Sequence, residues 1–175
     1  MKRLAVLVSL SLALLALAAA GTPRAAAKNP DHILLPAVPF DLPALPASDG
    51  ICAFPVHGEP VDAKEFMTVT TLPDGTIVQH VRGSVKLILT NEATGKSITV
   101  NASGPGYITF LPTGAAIIQG EGTSVYFYTL AQQQQFGVPG LAQFDGPFTQ
   151  VFAPDGTLTS LTPSPHVTDL CAALA

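Results

Sequence analysis

The stretch that decides the fold is VRGSVKLILTNEATGKSITVNASGPGYITF, residues 81–110. Apolar side chains alternate with polar ones in three runs, seen most clearly at Val85, Leu87 and Leu89. A period of two predicts half-buried antiparallel strands. The segments between the runs, residues 91–96 and 103–106, are rich in residues that tolerate tight backbone reversals. The stretch therefore predicts a three-stranded meander.

The same pattern continues through most of the chain. About ten short strands, separated by turn residues at the spacing of sandwiches and barrels, predict an all-β antiparallel domain. The order of hairpins favours an up-and-down meander that closes as a barrel, because closure hides exposed strand edges. A two-sheet β-sandwich is the alternative. A short C-terminal helix is expected, with Thr168 as its N-cap.

The N-terminus has the order of a secretory signal peptide. Lys2 and Arg3 precede an uncharged apolar run, which is followed by small residues. We expect cleavage after Ala27, with Ala20 as the other candidate. A retained membrane anchor is the alternative, but the run is shorter than the roughly 20 residues that a spanning helix needs. The predicted organisation is a signal peptide (1–27), a Pro-rich extended leader (28–50) and a single β domain (51–175).

The leader leaves two interpretations open. Its five prolines, among them Pro36 and Pro39, disfavour helix and favour extended backbone. It either holds the domain away from the cell surface or lies against the domain. Its apolar residues favour packing, because they are costly to expose to water.

Charge narrows the range of partners. Removal of residues 1–27 takes away three basic residues and no acidic ones, so five basic and twelve acidic residues remain, a net charge of −7. Binding to a phosphate backbone or to an anionic membrane needs clustered Lys and Arg. We therefore expect no nucleic-acid partner, and no membrane partner after signal cleavage.

The chain has two cysteines, Cys52 and Cys171, near the two ends of the mature domain. In an exported protein an even number of cysteines favours a disulfide. A metal-binding or reactive pair is the alternative, but no C-x-x-C motif or neighbouring His cluster supports it. We predict a structural bridge between Cys52 and Cys171.

Motifs for catalysis and for metal binding are weak. His57 and Glu59 lie two residues apart with Asp62 nearby, which could ligate a metal, but a polar loop between strands is the favoured interpretation. The sequence contains no H-E-x-x-H, no G-x-S-x-G and no P-loop. We therefore predict no catalytic residue, no metal site and no cofactor.

The longest break between strands is the candidate place for a ligand contact. Residues 131–140 hold four Gln and Phe136, and an aromatic strand with Tyr126 and Tyr128 precedes them. Long loops on a rigid β scaffold often carry binding sites. The candidate contacts for a polar ligand such as a sugar are Tyr126, Tyr128, Gln134 and Phe136, and a flexible solvated linker is the alternative.

The segments LTN (89–91), TGKSITVN (94–101), SGPG (103–106) and VTDLC (167–171), together with the position of Cys52, carry a resemblance. In these segments the chain resembles uncharacterised secreted β-rich proteins of actinobacteria. The resemblance implies export from a Gram-positive cell and a β-rich domain. It implies no activity and no catalytic residue.

These observations predict a secreted, non-enzymatic β domain of unknown ligand, exposed at or beyond the cell envelope. One alternative is a β-barrel that binds a small apolar or sugar ligand. The other is a small exported hydrolase that uses His57 or His166. A small molecule or a cell-wall component is the expected partner class.

Overall fold

The fold is known from a computed structural model, which describes residues 32–47 and 50–175, so the predicted signal peptide lies outside the described residues. Within them the strands pair antiparallel and the helices are short, which confirms the all-β class. No helix in these two ranges is long and apolar enough to cross a membrane. The elements are β1 (Ile33–Leu34), β2 (Phe40–Leu42), β3 (Val56–Thr71), β4 (Ile77–Asn91), β5 (Ser97–Ser103), β6 (Gly106–Phe110), β7 (Ala116–Gly120), β8 (Thr123–Phe127), α1 (Leu130–Phe136), β9 (Leu141–Asp145), β10 (Phe148–Phe152), β11 (Leu158–Thr162), β12 (His166–Asp169) and α2 (Leu170–Leu174).

The strands of the described residues form two sheets. The larger has nine of these strands, in the order β1-β3-β4-β6-β7-β10-β11, with β2 also paired to β3 and β5 to β4. The smaller has three strands in the order β12-β9-β8. In the described ranges β1 and β11 lie at opposite ends of the larger sheet and do not pair with each other, so the predicted closure into a barrel is not confirmed.

The hairpin of β3 and β4 is the longest unit. The prediction of a three-stranded meander over residues 81–110 is wrong in its strand order, because in the described residues β5 and β6 each pair with β4 and not with each other. The second half of β4 pairs with β5 and its first half with β6, on the edge away from β3. One extra residue in β3 makes a bulge between Val61 and Lys64, where Asp62 has φ 53°. The region around His57, predicted as a loop, is part of β3, because this strand begins at Val56.

Two apolar clusters lie on opposite faces of the smaller sheet. Leu141 of β9 packs into the first cluster, together with Leu87 and Leu89 of β4. Phe144, three residues further along the same strand, packs into the second cluster with Phe148 of β10. Successive side chains of a strand point to opposite faces of the sheet. The smaller sheet is therefore buried on both faces and contributes one face to each cluster.

The described part of the leader packs against the domain. Both β1 and β2 pair with β3, so residues 32–47 contribute two strands to the larger sheet. Between these strands the Leu35 amide donates to the Glu65 carbonyl oxygen at 2.9 Å. Of the two interpretations of the leader, the structure shows packing.

The C-terminus is tied to the rest of the domain by the predicted disulfide. Cys52 and Cys171 are bonded, with their Cα atoms 5.5 Å apart. The preceding residue, Leu170, is buried in the first apolar cluster. Helix α2 is present as expected, but its N-cap is Asp169 and not Thr168, because the Asp169 carboxylate accepts from the Ala172 amide at 3.0 Å.

Candidate functional site

A cleft opens where the leader, the β3–β4 hairpin and β8 meet. Its volume is about 310 Å³, near the lower end of the range of small-molecule sites. Most of its wall is apolar, and it lies next to the first apolar cluster. The lining residues that matter below are Val38, Glu65, Val85, Ala102, Val125 and Tyr126.

The leader forms one wall of this cleft. Residues 36–39, which we call the strap, run between β1 and β2, and three of them line the cleft. Each end of the strap is attached to β3, through the pairs Leu34–Phe66 and Phe40–Gly58. A Cβ at position 58 would overlap the ring of Phe40, so the ring keeps its place over β3 because residue 58 is glycine. The strap is therefore held over the cleft by backbone pairing on both sides.

Glu65 is the carboxylate of the cleft. The bulge in β3 places it on the inner face of the sheet, the face that also carries the buried Met67. Burial raises the pKa of Glu65, and its carboxyl group forms no hydrogen bond or ion pair with a described residue. A carboxyl group in an apolar cleft favours its neutral form, which can donate a hydrogen bond.

Tyr126 lies in the same cleft, on β8. Burial first, and then the negative charge of Glu65, raise the pKa of Tyr126. Its phenol is therefore neutral at any physiological pH and can both donate and accept a hydrogen bond. The cleft thus combines an apolar wall with two neighbouring groups that can hydrogen-bond to a ligand.

Three of the four predicted ligand contacts meet around the second apolar cluster. Tyr128 is buried in that cluster, where burial raises its pKa, and Tyr126 packs against it while also lining the cleft. Phe136 packs against that same cluster, and Gln134 is exposed on α1. Sequence reasoning missed Glu65, although a signal exists: it shares a strand face with Met67 and Val69.

The Gln-rich segment predicted as a long loop contains helix α1 instead. Thr129 caps it, and the Gln132 side chain accepts from the Thr129 amide at 2.9 Å, so the two residues form a capping box. Gly137 ends the helix in the left-handed region, with φ 66°. The side chain of Gln133 donates to two backbone carbonyls, those of Ile51 and Tyr128. Gln132 and Gln133 therefore have structural contacts.

His57 lies between two carboxylate side chains on the outer face of the larger sheet. Its Nδ1 lies 2.6 Å from Asp41 Oδ1, and its Nε2 lies 3.6 Å from Glu59 Oε2. The hydrogen bond with Asp41 is the main cause that raises the pKa of His57. Because both ring nitrogens face carboxylates, the ring is not directed at a hydroxyl nucleophile, which is what a hydrolase triad needs. His166, the other hydrolase candidate, is exposed on β12.

The residues considered as metal ligands do not converge. Asp62 pairs with Lys86 at 3.6 Å and with Lys64 at 3.9 Å, and not with His57. In the part of the chain that the structure describes, no group of three or more His, Cys, Asp or Glu is placed to hold a metal ion.

Comparison with known proteins gives no match to a family model, to a curated protein or to a solved structure. The resemblance to secreted actinobacterial proteins stays a prediction.

Proposed function

We propose that this protein is a secreted, non-enzymatic domain that binds a small, mainly apolar ligand in the cleft beneath the strap. The observation that carries the proposal is an apolar cleft of about 310 Å³ that contains a carboxyl group without a partner among the described residues. The ligand would lie between the leader and the two sheets, and not in the interior of a barrel as one alternative from the sequence had it.

The lining favours a ligand with an apolar body and one neutral hydrogen-bond acceptor. Apolar surface removed from water contributes about 25 cal/mol per Å², so side chains such as Val85 and Val125 favour an apolar body. The Glu65 carboxyl, when protonated, would donate a hydrogen bond to the acceptor, and Tyr126 lines the same cleft. Such a pair gives orientation without requiring a charged ligand.

Export is the second part of the proposal. The Cys52–Cys171 bridge fits an oxidising compartment outside the cytoplasm. The signal-like N-terminus and the resemblance to secreted actinobacterial proteins support the same conclusion. Mass spectrometry of culture supernatant would test it, with a mature chain that begins after Ala20 or Ala27 as the expected result.

Filling the cleft should weaken binding of a neutral apolar probe such as Nile red. Ala102 lies in the cleft wall, so Ala102→Leu reduces the volume that a ligand can occupy. We expect at least a tenfold weaker Kd by fluorescence titration, which corresponds to about 1.4 kcal/mol. The matched control is Ala93→Leu, which adds the same volume in an exposed turn and should change nothing. Equal affinity of the two variants would contradict the proposal.

The pH dependence of binding gives a second test of the site, through Glu65. For a ligand with a carbonyl acceptor, binding should tighten as the pH falls through the raised pKa of Glu65, because only the protonated carboxyl donates. In Glu65→Gln the amide donates at every pH, so this pH dependence should disappear. A wild-type affinity that does not change with pH would remove Glu65 from the site.

A further inference from the structure

The two ends of the strap are attached to the larger sheet unequally. On the β2 side, Leu42 is buried in the first apolar cluster and Phe40 packs against that cluster. Beyond β2 the chain stays attached, because the Leu45 amide donates to the Cys52 carbonyl oxygen at 2.7 Å. Cys52 is in turn bonded to Cys171. The C-terminal end of the strap is therefore anchored in the core.

The attachment on the β1 side is shallow. This strand has two residues, of which Ile33 is 41% and Leu34 is 61% exposed, and neither packs into an apolar cluster of the described residues. What holds β1 is its pairing with β3, together with the hydrogen bond from the Leu35 amide to the Glu65 carbonyl oxygen. Detachment of β1 therefore exposes little surface that is now buried, and segments of this kind open locally in native proteins.

The strap between these two ends has no attachment of its own. Pro36 and Pro39 have no amide hydrogen to donate. Among the described residues, 36–39 form no backbone hydrogen bond with another segment. All four are exposed, although three of them line the cleft. The strap therefore stays over the cleft only while β1 is paired with β3.

Residue 65 belongs both to the cleft and to the attachment of β1. The Glu65 side chain lines the cleft, and its carbonyl oxygen accepts from the Leu35 amide at 2.9 Å. A ligand in the cleft would contact strap residues such as Val38, which line the cleft while β1 is paired. Because the ligand gains these contacts only in the closed state, its binding favours that state.

We propose that β1 is the latch of a gate over the cleft. It detaches from β3, the strap moves about its anchored β2 end, and the ligand enters or leaves. The proposal rests on the ligand site proposed above and adds how that site exchanges its occupant. Because association and dissociation pass through the same opening, the latch controls both rates and leaves their ratio, the Kd, nearly unchanged.

The test is a disulfide across the latch, placed on the side of the sheet away from the cleft. Leu34 and Phe66 are directly opposed. Because the adjacent pair, Leu35 and Glu65, is hydrogen-bonded, Leu34 and Phe66 form a non-hydrogen-bonded pair. Their Cα atoms are then about 4.5 Å apart, within the range of a disulfide. Leu34→Cys with Phe66→Cys should form the crosslink, and peptide mapping verifies it and the native disulfide.

The matched control is Leu34→Ser with Phe66→Ser, which has side chains of similar size and no crosslink. Stopped-flow fluorescence of the full secreted chain with Nile red should give association and dissociation rates roughly tenfold slower in the crosslinked variant than in the serine variant. Equal rates in the two variants, with Nile red still bound, overturn the gate and leave the ligand site standing. Absence of Nile red binding by wild type overturns the ligand site, and the gate with it.

Hydrogen exchange of the wild-type protein gives a second readout that needs no substitution. The Leu35 and Leu45 amides each donate to a backbone carbonyl, but only Leu35 adjoins the latch. Without ligand, the Leu35 amide should exchange roughly tenfold faster than the Leu45 amide, because β1 opens locally. Bound Nile red should slow exchange at Leu35. Equal protection of the two amides in the free protein overturns the latch.

Discussion

At the residue scale, short side chains set the turns and attach the leader. The tetrapeptide PDGT occurs at residues 73–76 and 154–157, and each Asp accepts from the Thr amide two residues later, at 2.9 Å. These hydrogen bonds lower the pKa of Asp74 and of Asp155. Both turns are evident from sequence because Asp can bond back to the backbone and Gly accepts positive φ. The Asp41–His57 contact is different, since nothing local to either residue indicates it.

The Asp41–His57 hydrogen bond makes the attachment of β2 to β3 sensitive to pH. Because the folded-state pKa of His57 is raised above 6.5, its contribution to stability is full below about pH 6.5 and is lost as the pH rises through the folded-state pKa. Asp41→Asn should lower the pKa of His57 measured by NMR titration and remove this pH dependence from thermal unfolding. Glu59→Gln is the control and should have a smaller effect, because the bond to Asp41 is the main cause. A larger effect of Glu59→Gln would show that the pair is misassigned.

At the element scale, the bulge in the β3–β4 hairpin decides which side chains face the cleft. One extra residue in β3 between Val61 and Lys64 shifts the alternation, so Glu65 faces inward and Phe66 outward. Opposite the bulge, Gly83 has φ 129°, and a Cβ there would overlap the Lys64 carbonyl oxygen. The sequence shows Gly83 as a break in an apolar run, but it gives no count of the residues on the partner strand.

Gly83→Ala should destabilise the protein by more than Gly95→Ala does. Both glycines have positive φ, but nothing lies within 4 Å of a Cβ at position 95. We expect about 1 kcal/mol for the strain alone at Gly95 and about 2–4 kcal/mol at Gly83, where a clash is added. Urea denaturation of the two variants measures the difference. Equal decreases in the free energy of unfolding would mean that the β3–β4 hairpin can relax around position 83.

At the scale of the whole molecule, the segment around Cys52 and the C-terminus are joined at the first apolar cluster. The disulfide closes a separation of 119 residues. Close to it, Leu174 is buried and its carbonyl accepts from the Asn91 side chain at 3.1 Å. The C-terminal helix, the first residues after the leader and the β4–β5 hairpin therefore form one contact region.

Removing the Cys52–Cys171 bridge should lower the free energy of unfolding by about 2–5 kcal/mol, because an uncrosslinked unfolded chain gains conformational entropy. The variant is Cys52→Ala with Cys171→Ala, compared with wild type by guanidinium denaturation. Wild type measured with reductant throughout is the control and should approach the double variant. A loss below about 1 kcal/mol would show that α2 is held by packing alone.

The sequence by itself determined the class of the fold, the pairing of the two cysteines and most of the turns, since period-two alternation, an even cysteine count and Gly or Asp at reversals act over a few residues. Helix α1 could also be predicted from the sequence, because Thr129, Gln132 and Gly137 form a recognisable capping pattern. Only the tertiary structure decided the number of sheets, the position of the leader and the cleft that joins Glu65 to Tyr126. The physical reason is that strand pairing across long separations, and a one-residue bulge that reverses the facing of a strand, leave no local signal in the sequence.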